Sequence, residues 1–315
     1  MPAIKLGIQL SAQCGDWPTL LRAARLVDAL GYDYVFLPDH LAPLSGGSED
    51  AVMFEGIVGT TAIAASTQQV KVGLLVASNT FRNPAILAKS VATIDHVSGG
   101  RALLGLGGGW HEREHEAWGV DFGRSPGQRL QWLDEALSII RPLLAGETVT
   151  HSGDRYRTDT LILSPPPVQR QIPILVGGGG ERKTLLTVAR YADMWNVQVG
   201  LDEAQHKVDV LRQHCDNVGR DIAEIEFSID SSHLIRDTED EARAALASIA
   251  AANGRPVPDP TSTFHWVGSP EQVAERMAAY AALGFGAVTC ALGPPYDEET
   301  LTRLIREVKP LVEAA

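Results

Sequence analysis

Three cysteines in 315 residues, Cys14, Cys215 and Cys290, are too few and too scattered for a disulfide framework or a cysteine-rich metal centre. Such usage fits a reducing compartment, and the expected location is cytoplasmic. Positive charge is short as well: 27 Lys and Arg stand against 39 Asp and Glu, a formal net charge of −12. A chain this acidic lacks the basic surface that general nucleic-acid binding needs. It can still hold an anion, because clustered backbone N–H groups and one or two Arg suffice locally. No apolar run reaches the about 18 residues of a membrane span. The start, Met1-Pro2-Ala3-Ile4-Lys5-Leu6-Gly7, has no long apolar signal core. What remains is a globular chain, 44% hydrophobic and 21% charged, whose expected partner is a small molecule and whose apolar content permits a homodimer without requiring one.

Periodicity then gives the architecture. Short apolar runs occur at Ile4 to Leu10, Tyr34 to Leu37, Val70 to Val76, Ala102 to Leu106, Pro173 to Val176, Met194 to Val199, Ile225 to Ile229 and Ala287 to Leu292. Helical patterns separate them. Asp16 caps the first, Pro18 suits its first turn and Gly31 follows its end. Ser269-Pro270-Glu271-Gln272 reads as a capping box. Eight strands alternating with helices predict one (β/α)8 TIM-barrel domain over residues 1–315. A doubly wound open sheet is the competing architecture, disfavoured by the strand count. Thr148 to Thr160 alternates like a small hairpin, and Ser164-Pro165-Pro166-Pro167 is a stiff connector. The stretch of about 146–172 therefore reads as an insertion before the fifth strand. The loops Leu41 to Asp50, Gly146 to Ile172 and Asn253 to Thr263 are expected to roof the barrel mouth.

In a barrel of this kind chemistry collects where the strands end. There the sequence places Asp39-His40 after strand two, Ser78-Asn79-Thr80 after strand three, Gly105 to Glu112 around the end of strand four, and Gly177 to Arg182 after strand five. Asn196 and Gln198 follow on strand six, and strand seven leads into Asp230 and His233. His40 is the candidate acid–base group, since imidazole exchanges a proton near neutrality. The four glycines Gly177 to Gly180, followed directly by a predicted helix from Glu181, read as an anion site supported by Arg182 and Lys183. Gly105 to Gly109 fails the dinucleotide fingerprint at Trp110, and Gly177 to Thr184 fails the P-loop pattern at Arg182. His111-Glu112-Arg113-Glu114-His115 satisfies the H-E-x-x-H zinc pattern, but charged residues opening an exposed helix produce that string by chance. No metal is expected there.

Taken together, Leu30-Gly31-Tyr32-Asp33 through Asp39-His40, Phe81 to Lys89, Ile94 to Arg101, Gly105 to Glu116 and Val176 to Asn196 resemble the bacterial luciferase-like superfamily of flavin and deazaflavin oxidoreductases. The Gly-Trp-His-Glu-Arg-Glu-His and Gly-Gly-Gly-Gly-Glu-Arg strings look most like its coenzyme F420 branch. The resemblance implies a (β/α)8 barrel with an insertion before the later strands and a cofactor ring across the mouth. It implies cofactor binding by Asp39, Ser78, Asn79, Gly108, Gly109, Gly178, Gly179, Gly180, Glu181 and Arg182. It places a non-prolyl cis peptide near Leu75-Val76 and gives His40 the proton. Sugar-phosphate dehydrogenases of that branch carry a catalytic Glu where this chain has Trp110, so their substrate does not carry over. The expected function is hydride transfer between F420 and an organic substrate. The alternatives are an FMN-dependent two-component monooxygenase on the same barrel, or a non-catalytic barrel that binds a phosphorylated ligand.

Overall fold

The computed structural model describes residues 3–44, 51–259 and 262–314. Parts of two expected roofing loops, positions 45–50 and 260–261, lie outside the described residues. Eight strands form a closed parallel barrel: Lys5–Leu10, Tyr34–Leu37, Lys71–Leu74, Ala102–Gly107, Ile174–Gly177, Met194–Val197, Glu226–Ile235 and Phe285–Leu292. The first strand pairs with both the second and the last, and the sixth pairs with the seventh, which completes the ring. No helix among the described residues is long and apolar enough to cross a membrane.

Local chemistry explains the helix boundaries. Asp16 accepts the Thr19 N–H at 2.7 Å to start Trp17–Leu30, and Gly31 ends it in the left-handed region at φ 82°. Asn83 and Pro84 open Pro84–Ser98 in the same manner. Ser269 and Gln272 form the expected reciprocal capping box.

Alternation along the strands divides the core in two. Val35 and Leu37 face the helices and join the main apolar cluster, whereas Tyr34 and Phe36 point into the barrel with Leu75, Leu103, Leu175 and Met194. Each such fully buried side chain contributes about 1.5–3 kcal/mol. The bottom of the barrel is closed by a polar plug: Glu226 accepts from the Tyr34 hydroxyl at 2.9 Å and pairs with Lys5. The interior is thus filled from below by these side chains, and a cavity opens at the strand C-termini.

Several elements depart from the sequence reading. The helix after the four glycines starts at Thr184, not at Glu181, so Glu181, Arg182 and Lys183 form a turn. Strand seven runs on to Ile235 and carries a further parallel strand, His265–Gly268, on its far end. The last helix is interrupted by a π-helical turn, Leu304–Val308. The hairpin does form, as Val149–Ser152 against Arg157–Leu161, between helix Pro126–Leu144 and strand five.

Candidate active site

The strand ends enclose a cavity of about 890 Å³. Asp39, His40, Ser78, Gly107, Gly108, Gly109, Trp110, Glu114, Arg129, Asn196, Asp230 and His265 all line it, together with Gly177 to Gly180. One wall runs through Leu75, Val76 and Ala77, and the Leu75–Val76 peptide bond is cis, where the resemblance implies it. A separate groove of about 540 Å³ on the barrel flank, lined mainly by apolar side chains such as Ile57, Ile86 and Leu163, lies away from these groups.

His40 is held by a residue 74 positions away. Its Nδ1–H donates to Glu114 Oε1 at 3.0 Å, and the same carboxylate accepts the Leu41 N–H at 3.0 Å. Glu114 is only 1% exposed. Burial alone would push this carboxyl up, but the bonds from His40 and Leu41 outweigh it and hold Glu114 below the usual carboxylate range. With Nδ1 committed to the carboxylate, Nε2 is the nitrogen left for chemistry. Trp110, 63% exposed, sets its ring edge against His40 at a centroid distance of 5.6 Å.

Helix Glu112–Trp118 was expected to be an exposed element, yet Glu114 and His115 are buried. Their burial also dismantles the H-E-x-x-H reading. The His111 carbonyl requires a hydrogen on His115 Nδ1, 2.7 Å away, so in the neutral ring His115 Nε2 accepts from the Thr80 hydroxyl at 2.6 Å. Ser78 then donates to Thr80 at 2.7 Å. His115 is thereby consumed in fixing the strand-three end, and both of its nitrogens are engaged.

Asp39 lines the cavity but its oxygens are largely committed. It forms a two-pronged pair with Arg82, at 2.6 and 3.0 Å, and accepts the Ser78 N–H at 3.0 Å. Arg82 also pairs with Glu55. Asp39 therefore braces the Ser78 segment. Asn79 is buried behind that segment, donates to the Tyr156 hydroxyl at 3.3 Å and is not part of the cavity lining. Gly109 sits at φ 76°, and its carbonyl accepts from Arg129 Nε at 3.0 Å.

The glycines leave the opposite wall bare. Gly178 has φ 120°, which only glycine adopts freely. Its N–H is used by the Asn196 carbonyl at 2.9 Å, so the run of glycines does not aim all its donors at one point. Gly178, Gly179 and Gly180 border the cavity, whereas Glu181 and Arg182 do not. Glu181 turns outward to Lys207 at 2.6 Å and to His206 at 3.3 Å, and Arg182 is exposed.

The far side holds groups whose state the sequence leaves open. Asp230 borders the cavity, its Oδ1 is shielded without a partner, and burial pushes its carboxyl up to about 7. A carboxyl raised this far can carry a proton near neutral pH and donate a hydrogen bond. His233, one layer behind, is pushed down to about 3 by burial and stacks on Trp266 at 4.9 Å.

Known proteins resemble this chain along most of its length. A sequence profile of the luciferase-like monooxygenase family matches residues 4–287. An F420-dependent glucose-6-phosphate dehydrogenase of Microbacterium testaceum is 29% identical, with 96% of each chain covered. An FMNH2-dependent dimethylsulfone monooxygenase of Pseudomonas fluorescens is 26% identical over 92% of this chain and 86% of its own. The coenzyme F420-dependent tetrahydromethanopterin reductase of Methanopyrus kandleri superimposes with a TM-score of 0.81 at 20% identity, covering 98% of this chain and 99% of that one. With the barrel closed and the family profile spanning nearly all of it, the chain belongs to the luciferase-like monooxygenase family.

Proposed function

We propose that the protein is an oxidoreductase that transfers hydride between coenzyme F420 and a small organic substrate, with His40 managing the accompanying proton. The observation that carries this reading is the His40–Glu114 pair at the edge of a cavity that the glycine backbone of Gly107 to Gly109 and of Gly177 to Gly180 also borders. A carboxylate fixed on Nδ1 keeps the imidazole in one tautomer and one orientation, as a proton-transfer group requires.

The walls fit a flat ring with an anionic tail. A Cβ at Gly109, where φ is also positive, would lie 2.9 Å from Ser78 Oγ, and one at Gly180 would lie 2.8 Å from Thr184 Oγ1, so a side chain at either place would have to displace those hydroxyls. Ser78, Gly108 and Gly109 would hold the ring, and Gly178, Gly179 and Gly180 the first part of the tail. Glu181 and Arg182 would meet only its outer end. Asp39 acts through Ser78 and Arg82, and Asn79 through Tyr156. Bound F420 supplies two-electron hydride chemistry that the side chains lack. His40 gives or takes the proton at Nε2, and Glu114 is the residue that positions it. Asp230 offers a protonated carboxyl to a substrate oxygen on the far wall. Trp110 in place of a second carboxylate leaves His40 as the proton group on its side.

FMN use with oxygen chemistry is the second reading, favoured by the likeness to the dimethylsulfone monooxygenase over 92% of the chain. Titration of the purified protein with F420 and with FMN, followed by Trp fluorescence and visible absorbance, separates the two. Saturable F420 binding at least tenfold tighter than FMN binding is expected. Tighter FMN binding with oxygen consumption on adding a reductase would overturn the F420 assignment.

A further inference from the structure

The zinc-like sequence string fails as a site, but the fold assembles a different trio from part of it. His40, His111 and Glu114 bring their ligand atoms within 4.8 Å of one another. Glu114 lies between the two imidazoles, 3.0 Å from His40 Nδ1 and 3.8 Å from His111 Nδ1. The His40 contact is a satisfied hydrogen bond. The His111 contact is too long for one, and His111 Nδ1 is shielded with no hydrogen-bond partner.

We propose that His40, His111 and Glu114 form a binding site for a divalent transition cation, Zn2+ foremost, whose occupation takes His40 out of proton transfer. Two imidazoles and one carboxylate are a donor set that Zn2+ accepts, with bonds of about 2.0–2.2 Å. Tetrahedral geometry at those lengths spaces ligand atoms by about 3.3 Å; Glu114 Oε2 stands 3.2 Å from His40 Nδ1 and 3.8 Å from His111 Nδ1, so a small inward shift of the two imidazoles closes the shell. The ligand atoms already converge, and the hydrogen on His40 Nδ1 that now bonds to Glu114 must leave for a cation to enter. Three protein ligands leave a fourth position open toward the cavity, where water or a substrate oxygen could complete the shell. His40 and Glu114 line that cavity, so the cation would sit at its rim.

The metal site stands independently of the F420 reading; only its inhibitory consequence rests on it. The test therefore begins without cofactor. Chelator-treated protein is titrated with Zn2+ against a chromophoric competing chelator, with His206→Ala as the surface control. One tight equivalent is expected in the native protein and in the control. His111→Ala and, in case that variant disturbs the local fold, His111→Asn should each weaken it by about 10- to 100-fold. Circular dichroism confirms folding, and histidine NMR signals from His40 and His111 should shift together on zinc addition. No tight equivalent in the native protein, or unchanged affinity in both His111 variants, overturns the site. Once turnover is measurable, zinc should inhibit the native enzyme and spare His111→Ala. Zinc bound stoichiometrically without inhibition overturns the blocking of His40 and leaves the site standing.

Discussion

Asp230 and His233 lie three residues apart on the seventh barrel strand, and burial moves their proton affinities in opposite directions. The Asp230 carboxyl rises from 3.8 to about 7, and the His233 imidazole falls from 6.5 to about 3. Between pH 3.8 and 7 the folded chain holds a proton on Asp230 that the unfolded chain has lost, so that contribution to stability falls as pH rises. Between pH 3 and 6.5 the folded chain refuses a proton on His233 that the unfolded chain takes, so that contribution falls as pH drops. The two slopes cancel over most of the shared window. Asp230→Asn should expose the His233 slope, with stability relative to the native protein rising by up to about 1.4 kcal/mol per pH unit as pH increases. His233→Asn should expose the reverse slope. Denaturant unfolding from pH 4 to 7 measures both, and parallel curves for all three proteins would refute the assignment.

Glu114→Gln tests the positioning of His40. An amide oxygen still accepts a hydrogen bond but carries no charge to stabilise an imidazolium. Turnover should fall by about 10- to 100-fold with cofactor binding retained. Unchanged turnover would mean that Glu114 serves only the fold.

Asp39 is buried and Arg82 half-buried; removing Arg82 leaves the Asp39 carboxylate without its counter-ion, whereas Arg82 keeps Glu55 when Asp39 is removed. Arg82→Ala should cost about 3–5 kcal/mol in unfolding free energy, and the double variant Asp39→Ala with Arg82→Ala distinctly less than the sum of the two singles. Additive losses would show that the two side chains act independently.

Strands three and four approach so closely that a methyl group cannot enter. A Cβ on Gly105 would lie 1.9 Å from the Leu74 carbonyl oxygen, a backbone atom that no rotamer change can move. Gly105→Ala should lower stability by at least about 3 kcal/mol or abolish soluble expression. Gly31→Ala, where nothing lies within 4 Å but φ is 82°, should cost only about 1 kcal/mol. Equal effects at the two positions would contradict this account, and thermal unfolding distinguishes them.

The barrel was legible because strand period, helix caps and Gly stops agree along the chain. The polar strand ends were legible for the same reason: Asp39, His40, Ser78 and Asp230 each interrupt an apolar run at a predictable place. Glu114 was not. In Glu112-Arg113-Glu114-His115-Glu116 every residue looks solvent-facing, and only tertiary packing turns one carboxylate inward to a histidine 74 positions earlier. The helix after the glycines begins three residues later than the pattern predicts, which leaves Glu181 and Arg182 in a turn outside the cavity lining, a placement that local sequence does not encode. Asp39 and Asn79 were recognised as belonging to the site region, but pairing with Arg82 and Tyr156 cannot be seen without the fold. The proton affinity of Asp230 depends wholly on what surrounds it, which no local pattern encodes.

The overlong seventh strand has a consequence for how this barrel can change over time. Past the rim it is stiffened by its pairing with His265–Gly268, so its side chains alternate strictly between cavity and interior: Asp230 and Ser232 face the cavity, Ser231 and His233 do not. A new ligand preference arising on this wall is thus restricted to every second position. Insertions there would invert the whole pattern. The loop-built walls on the other side carry no such constraint, and evolutionary retuning should concentrate in them.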